Sequence, residues 1–461
     1  MLAGAGKAGG VEGLTGHERR GPVPPITERS DTHLQVETAK LWVGVFMADQ
    51  DQEHGHVRRR TAVLTRGFDP SLSFGSARPA VFRSSTYVFA SPEAAEHAFD
   101  VTAGRVKPAE GERADLIYSR FSHPNAEIFE DQIVPLEAGA RYAAVFNSGM
   151  AAIMTAFFAY ARPDATIVYT TPLYGGTTGL IHSFLEPFGV HGIPVRSGDT
   201  EGIEAAIRNA RNCCIVYVET PANPTLTMTD LQRLSAAAAA HPDHPIVMVD
   251  NTFLGPTFQR PMLWGADIVV YSATKYLSGF SDMVAGVALT RSAEAIQKLR
   301  SRRGMFGNIL QPDECWMLDG RLPTVSLRMN RQSKNAQRLA EALHGHAKLS
   351  RVIYPTLFTD PEQKRIFGKQ CEYPGGIFSL EFAGGKPAAF EFLRRVRIAR
   401  NAVSLGGVET LTCHPKSTTH SGLSQEELAE SGVTDGLVRI SAGIEDWRDL
   451  LADFEQALAA A

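Results

Sequence analysis

Lys275 stands in the run Tyr271-Ser-Ala-Thr-Lys-Tyr-Leu-Ser-Gly279, directly behind the apolar stretch Ala266-Asp-Ile-Val-Val-Tyr271. An amine at that point is equipped to form a Schiff base with an aldehyde. The neighbouring hydroxyls of Ser272 and Thr274 can bond an anionic group on the same ligand. Twenty-five residues upstream, Asp250 closes a second apolar stretch, Pro245-Ile-Val-Met-Val249. A carboxylate there can hold a proton on a heteroaromatic nitrogen. Tyr118 and Arg120 add a phenol and a planar fork of donors suited to phosphate. Tyr174, immediately before Gly175 and Gly176, offers a ring that can stack on a planar ligand.

A lysine for an aldehyde carbon and an acid for a ring nitrogen are what pyridoxal phosphate needs in order to act as an electron sink. On these two residues alone a buried Asp–Lys ion pair is the competing reading, and the elements that carry them bear on the choice. Short runs rich in β-branched residues at 166–169, 214–218, 245–249 and 266–271 read as buried strands. From Ile167 to Tyr271 they alternate with helical patterns, which predicts an α/β fold with a mainly parallel sheet covered on both faces. Ligands of such sheets bind at the carboxyl ends of the strands. Asp250, Lys275 and Tyr174 all stand at such ends, and so does Asn223 in Glu219-Thr-Pro-Ala-Asn-Pro-Thr225. The stretch 145–153 runs from a strand through Ser148-Gly149 into an Ala-rich helix whose first backbone N–H groups form an anion site, with Gly149 allowing close approach.

The remaining pattern divides the chain into four parts: 1–57, 58–120, 121–322 and 323–461. Residues 1–57 lack sustained periodicity and read as a disordered extension, with the apolar patch 41–48 too short for a domain and Met47 a possible functional start. Residues 58–120 read as an arm. In it 79–89 looks extended and β-rich, and 91–99 a short helix capped by Ser91 with Pro92 first. Tyr118 and Arg120 fall on one side of an extended segment. Helices are expected over 125–139 and 294–303, a loop over 304–312, and a long bridging helix over 324–344. The C-terminal part supplies strands at 376–382 and 437–441 and a final amphipathic helix over 446–460.

Composition narrows the function. The 461 residues are 44% hydrophobic and 21% charged, ordinary for a soluble globular protein, and the net charge of −4 favours neither nucleic acid nor membrane. A small molecule is therefore the expected ligand. Five cysteines without metal-ligand spacing read as thiols in a reducing, cytoplasmic setting.

Eight motifs occur in one order. They are Tyr118-Ser-Arg120, Ser148-Gly-Met-Ala-Ala152, Leu173-Tyr-Gly-Gly-Thr177 and Glu219-Thr-Pro-Ala-Asn-Pro-Thr225, then Asp250-Asn-Thr-Phe253, Ser272-Ala-Thr-Lys275, Ser404-Leu-Gly-Gly-Val-Glu-Thr-Leu411 and Arg439-Ile-Ser-Ala-Gly-Ile444. In this the chain resembles, over about 60–461, the cysteine/methionine-metabolism family of pyridoxal-phosphate enzymes, which includes cystathionine γ-synthase, cystathionine lyases and methionine γ-lyase. The resemblance implies a fold-type I transferase-like architecture, with a large cofactor domain and a smaller C-terminal α/β domain. It implies that Lys275 holds pyridoxal 5′-phosphate as an aldimine, that Asp250 binds the ring nitrogen, and that Asn223 approaches the ring hydroxyl. Tyr174 would stack on the ring and join Lys275 in catalysis. Gly149, Met150, Ser272 and Thr274 would hold the phosphate, with Tyr118 and Arg120 reaching it from a neighbouring subunit. Ser404 and Arg439 would hold the substrate carboxylate. The active unit would be a homodimer within a homotetramer.

Departures from the family pattern bear on substrate. The stretch 101–115 is long, His123-Pro-Asn125 replaces Asn-Pro-Thr, and Gly320-Arg321 inverts an Arg-Gly pair. Gly176 stands where methionine γ-lyases carry a cysteine, whereas Gly179 and Val403 stand where cystathionine enzymes carry an Arg and a Glu. Without those charges a distal amino-acid head group loses its partners. The expectation is γ-elimination on a smaller amino acid in the manner of methionine γ-lyase. The alternatives are a γ-replacement synthase and a non-catalytic binder of the cofactor.

Overall fold

The computed structural model describes residues 58–107 and 115–461. The readings made above for 1–57, including the apolar patch and Met47, lie outside the described residues, as does part of 101–115.

The larger sheet has seven strands in the order β1-β7-β6-β5-β4-β2-β3. These are β1 (Tyr142–Phe146), β2 (Thr166–Thr171), β3 (His191–Arg196), β4 (Cys213–Glu219), β5 (Ile246–Asp250), β6 (Ile268–Ser272) and β7 (Gly286–Thr290). Every pairing is parallel except those of β7, which runs against β1 and β6. Near-continuous apolar runs suit this position, because a strand covered on both faces has no side for water. Alternation divides them cleanly. Val216, Val218, Val247, Val249, Val269 and Tyr271 join one core, while Ile215, Tyr217, Met248, Ile268 and Val270 join another. The second core is roofed by the helix Gly149–Tyr160, whose Ala152, Ala156 and Phe157 are fully buried. Small side chains let this helix lie close to the sheet. Continuing the same alternation, Glu219, Asp250 and Ser272 end their strands on that face.

The smaller C-terminal sheet has five strands in the order β10-β11-β12-β9-β8. They are β8 (Leu349–Ile353), β9 (Ile377–Phe382), β10 (Arg400–Asn401), β11 (Leu411–Cys413) and β12 (Leu437–Ser441), antiparallel except for β10 with β11. The helix Val325–Leu343 bridges the sheets, and its polar side chains grip backbone at both. Arg328 donates to the carbonyl of Tyr276 at 2.6 Å, and Gln332 to that of Gly407 at 2.6 Å. One helix thereby orients the turn after Lys275 and the loop after Ser404.

Several local expectations need correction. Residues 79–89 form no ladder beyond a single bridge from Thr86 to Tyr118, and side chains take the place of a neighbouring strand, with Asn125 bonding both the Phe82 amide and the Ala80 carbonyl at 2.8 Å. The helix Ala293–Phe306 runs on through Gly304, against which the Phe121 ring packs, and stops at Gly307 with φ +69°. Tyr118 and Arg120 sit on a turn, where the Phe121 amide bonds the Tyr118 carbonyl at 2.9 Å, and not on an extended strand. Ser91 caps Pro92–Thr102 and 437–441 is a strand, as read, whereas the helix read over 125–139 is Pro124–Ile133 followed by a 3-10 turn to Leu136. Among the described residues no helix is long and apolar enough to cross a membrane.

Candidate active site

Three strand ends converge at the carboxyl edge of the large sheet. Asp250 ends β5, and its Oδ1 accepts the Thr252 amide at 2.9 Å while the Tyr217 hydroxyl lies 3.4 Å from Oδ2. Burial raises its pKa from the ordinary aspartate value of 3.8, because no cation offsets the loss of water. Lys275 follows β6 in a turn closed by its amide on the Ser272 carbonyl at 3.1 Å. Its Nζ donates to Ser404 Oγ at 2.7 Å. Burial, assisted by the nearby positive charge of Arg439, brings its pKa down to about 8. An amine with that value is part neutral at ordinary pH and able both to attack carbon and to carry a proton.

The small sheet contributes the cationic wall. Arg439 lies in the middle of β12, buried, with Nη2 donating to the Ser404 carbonyl at 2.6 Å and Nη1 to Asn223 Oδ1 at 3.1 Å. Ser404 adopts φ +104°, a conformation costly for a residue with a Cβ, and this sets its hydroxyl toward Lys275 and its carbonyl toward Arg439. Two more side chains hold the Asn223 turn. Ser379 on β9 donates to the Pro224 carbonyl at 2.9 Å, and His420 Nε2 lies 3.1 Å from the Asn223 carbonyl. Burial, with the charge of Arg439, lowers His420 to about 4, so it is neutral and donates through Nε2–H.

The phosphate-sized corner is at the start of the helix Gly149–Tyr160. Ser148 caps it by accepting the Ala151 amide at 3.0 Å, which leaves the Gly149 and Met150 amides without an intrahelical acceptor. A Cβ on Gly149 would stand 3.0 Å from Ser272 Cβ and 3.2 Å from Ser272 Oγ, so only glycine lets the amides and that hydroxyl share one cradle. The Thr274 hydroxyl, by contrast, is engaged with the backbone of Ala285, donating at 3.2 Å and accepting at 3.0 Å. Above the cradle, the Tyr174 ring and Met150 Sδ flank Gly176, where a Cβ would lie 2.6 Å from the ring and 3.0 Å from the sulfur.

Of the residues singled out in the sequence, Lys275, Ser404, Arg439 and Asn223 are joined by hydrogen bonds, and Gly149 is packed with Ser272. Met150 lies against Tyr174 across Gly176. Tyr118 and Arg120 belong to a different cluster. The Arg120 guanidinium stacks 4.5 Å over Phe121 and 5.9 Å over Tyr118, and it donates to the Gly304 carbonyl. Glu219 and His420 were not assigned roles from the sequence. The signal for Glu219 was present, an acidic residue ending an apolar strand as Asp250 does.

The donor set suits pyridoxal 5′-phosphate: free helix-start amides and a serine for phosphate, a buried acid for a basic ring nitrogen, and a buried, partly neutral amine for an aldehyde. A family model described as Cys/Met metabolism PLP-dependent enzyme matches residues 60–459. An L-methionine gamma-lyase of Pseudomonas deceptionensis is 38% identical over 411 residues, 89% of this chain and 99% of that protein. A cystathionine beta-lyase of Bacillus subtilis is 38% identical over 341 residues, 74% of this chain and 85% of that protein. The solved structure of cystathionine gamma synthase from Xanthomonas oryzae pv. oryzae, in complex with cystathionine, superposes with a TM-score of 0.79 at 31% identity, covering 88% of this chain and 98% of that one.

Proposed function

Because the chain belongs to the Cys/Met metabolism family of PLP-dependent enzymes, we propose that it catalyses γ-elimination on a small L-amino acid bearing a leaving group at Cγ. When bound, pyridoxal 5′-phosphate supplies the electron sink that makes the Cα and Cβ hydrogens acidic. The chain's own residues do the rest. Arg439 presents its guanidinium to the substrate carboxylate, a pairing suited to two parallel hydrogen bonds, with Ser404 alongside. This fixes the Cα–H bond in front of Lys275. Lys275 takes the Cα proton on Nζ, passes it on, and then takes a proton from Cβ, so that the Cγ substituent departs with its bonding electron pair. Tyr174 covers the ring face, Asp250 holds the ring nitrogen's proton, and Asn223 meets the ring hydroxyl. Gly149, Met150 and Ser272 hold the phosphate, and Thr274 joins them once its hydroxyl turns from Ala285.

The observation that carries the reading is the chain of bonds from Lys275 Nζ through Ser404 to Arg439, because it joins the proposed base to the proposed carboxylate clamp. Two uncharged positions favour a small substrate. A side chain at Gly179 would meet open space, and Val403 is 54% exposed. The test is to offer L-methionine, and separately an O-acyl-L-homoserine, without any thiol. A γ-lyase releases 2-oxo acid and ammonia from one of them. A γ-replacement synthase releases oxo acid only in trace until a thiol is added, and that result would overturn the reading.

We further take the active unit to be a homodimer within a homotetramer. Arg120 packs on Phe121 and Tyr118 and bonds the Gly304 carbonyl rather than any group bonded to Lys275, which suits a role for this cluster at a neighbouring subunit's phosphate. Five free thiols suit the reducing cytoplasm.

A further inference from the structure

We propose that Glu219 is a positioning residue of the cofactor pocket: its carboxylate fixes the Tyr174 backbone beside Asp250, so that the aromatic and acidic partners of the ring are held as one unit. Glu219 is the last residue of β4 and pairs in register with Asp250, the last residue of β5. Both of its oxygens accept from the Tyr174 amide, at 2.8 and 3.0 Å. Its own amide is tied to Thr170 Oγ1 at 3.3 Å, so the strand holds the carboxylate from behind.

Tyr174 needs such an anchor. The residue is 45% exposed, and two glycines follow it, so side-chain packing supplies little to fix its direction. A carboxyl group with both oxygens against one backbone amide fixes the direction of such a turn. Glu219 is only 6% exposed, and two acidic groups at neighbouring strand ends are unfavourable unless a structural gain offsets them. Burial first, then the charge of Asp250, pushes the Glu219 carboxyl well above its usual range. A residue that only filled space would bring no buried carboxyl to that strand end.

The inference rests on reading Tyr174 as the ring-facing aromatic, and the experiment separates the two. Two conservative variants divide reach from charge. Glu219→Gln keeps the length and an oxygen for the Tyr174 amide, whereas Glu219→Asp keeps the charge but falls one methylene short. Each is purified as full-length protein, stripped of cofactor and titrated with pyridoxal 5′-phosphate. The dissociation constant and the visible circular dichroism of the bound cofactor are read, with Tyr174→Ala as control. Glu219→Asp should weaken binding on the order of tenfold, about one hydrogen bond, and change the dichroic band. Glu219→Gln should stay close to the parent in both. Glu219→Gln as damaging as Glu219→Asp, or both like the parent while Tyr174→Ala is impaired, would overturn the role of Glu219 alone. Tyr174→Ala without effect would overturn the reading beneath it.

Discussion

Replacing Lys275 by methionine should make the cofactor-free protein more stable near neutral pH. In the unfolded chain the amine holds its proton up to the ordinary lysine value of 10.5, whereas in the folded protein burial lowers that to about 8. Between these values the unfolded state binds more protons, so stability rises with pH across that window, and the full cost is present below it. At 1.36 kcal/mol per pH unit the cost near neutrality is about 3 kcal/mol. Methionine fills nearly the same volume without a charge to desolvate. It forfeits the bond to Ser404, worth about 1 kcal/mol, leaving a net gain of about 2 kcal/mol. Urea unfolding of both proteins, stripped of cofactor, measures this directly. The gain should shrink steadily as pH rises from about 8 to 10.5. A variant less stable than its parent near pH 7, or a gain that does not diminish toward alkaline pH, would refute the argument that Lys275 is buried at electrostatic cost.

Gly149→Ala should weaken binding of pyridoxal 5′-phosphate more than that of unphosphorylated pyridoxal, because its Cβ would press on Ser272 at 3.0 Å and part the phosphate cradle. Equal weakening of the two ligands in parallel titrations would count against the cradle. Arg120→Ala and Lys275→Ala should each be poorly active alone and regain activity when dissociated, mixed and reassociated, since one site of each hybrid dimer then draws both residues from intact chains. Hybrids that form without recovery would place Arg120 in its own subunit's service.

The strand ends were legible because an apolar run that stops abruptly at a polar residue leaves little choice of geometry. Asp250 and Lys275 were found this way, and Glu219 bears the same mark at the end of Cys213–Glu219. Its tie to Tyr174 spans 45 residues and depends on the loop after β2 folding back, which no local period announces. Arg439 is harder. It lies inside a short strand of another sheet, and its approach to Asn223 follows from how β12 and β9 face the 223–224 turn. Its role came from resemblance and not from spacing. His420, in a Thr-rich loop, gave no signal of burial. The overread strand at 79–89 failed for the reason that extended propensity is worth little without a neighbour to bond. The pattern reads as a loop from 304 onward, but a glycine against which an aromatic ring packs is retained inside the helix.

Arg439 is shared property. Its Nη1 and Nη2 already donate to Asn223 Oδ1 and the Ser404 carbonyl, and Ser404 in turn receives the Lys275 amine. On the proposed assignments, a carboxylate arriving at this guanidinium competes with both contacts and slackens the hold on Asn223, assigned to the cofactor, and on Ser404, which meets the Lys275 amine. Thermodynamic reciprocity then applies: whatever factor a simple carboxylic acid imposes on cofactor affinity, the cofactor imposes on the affinity for that acid. The pocket is thus a crossroads at which the two ligands register each other's presence before any bond in the substrate is broken.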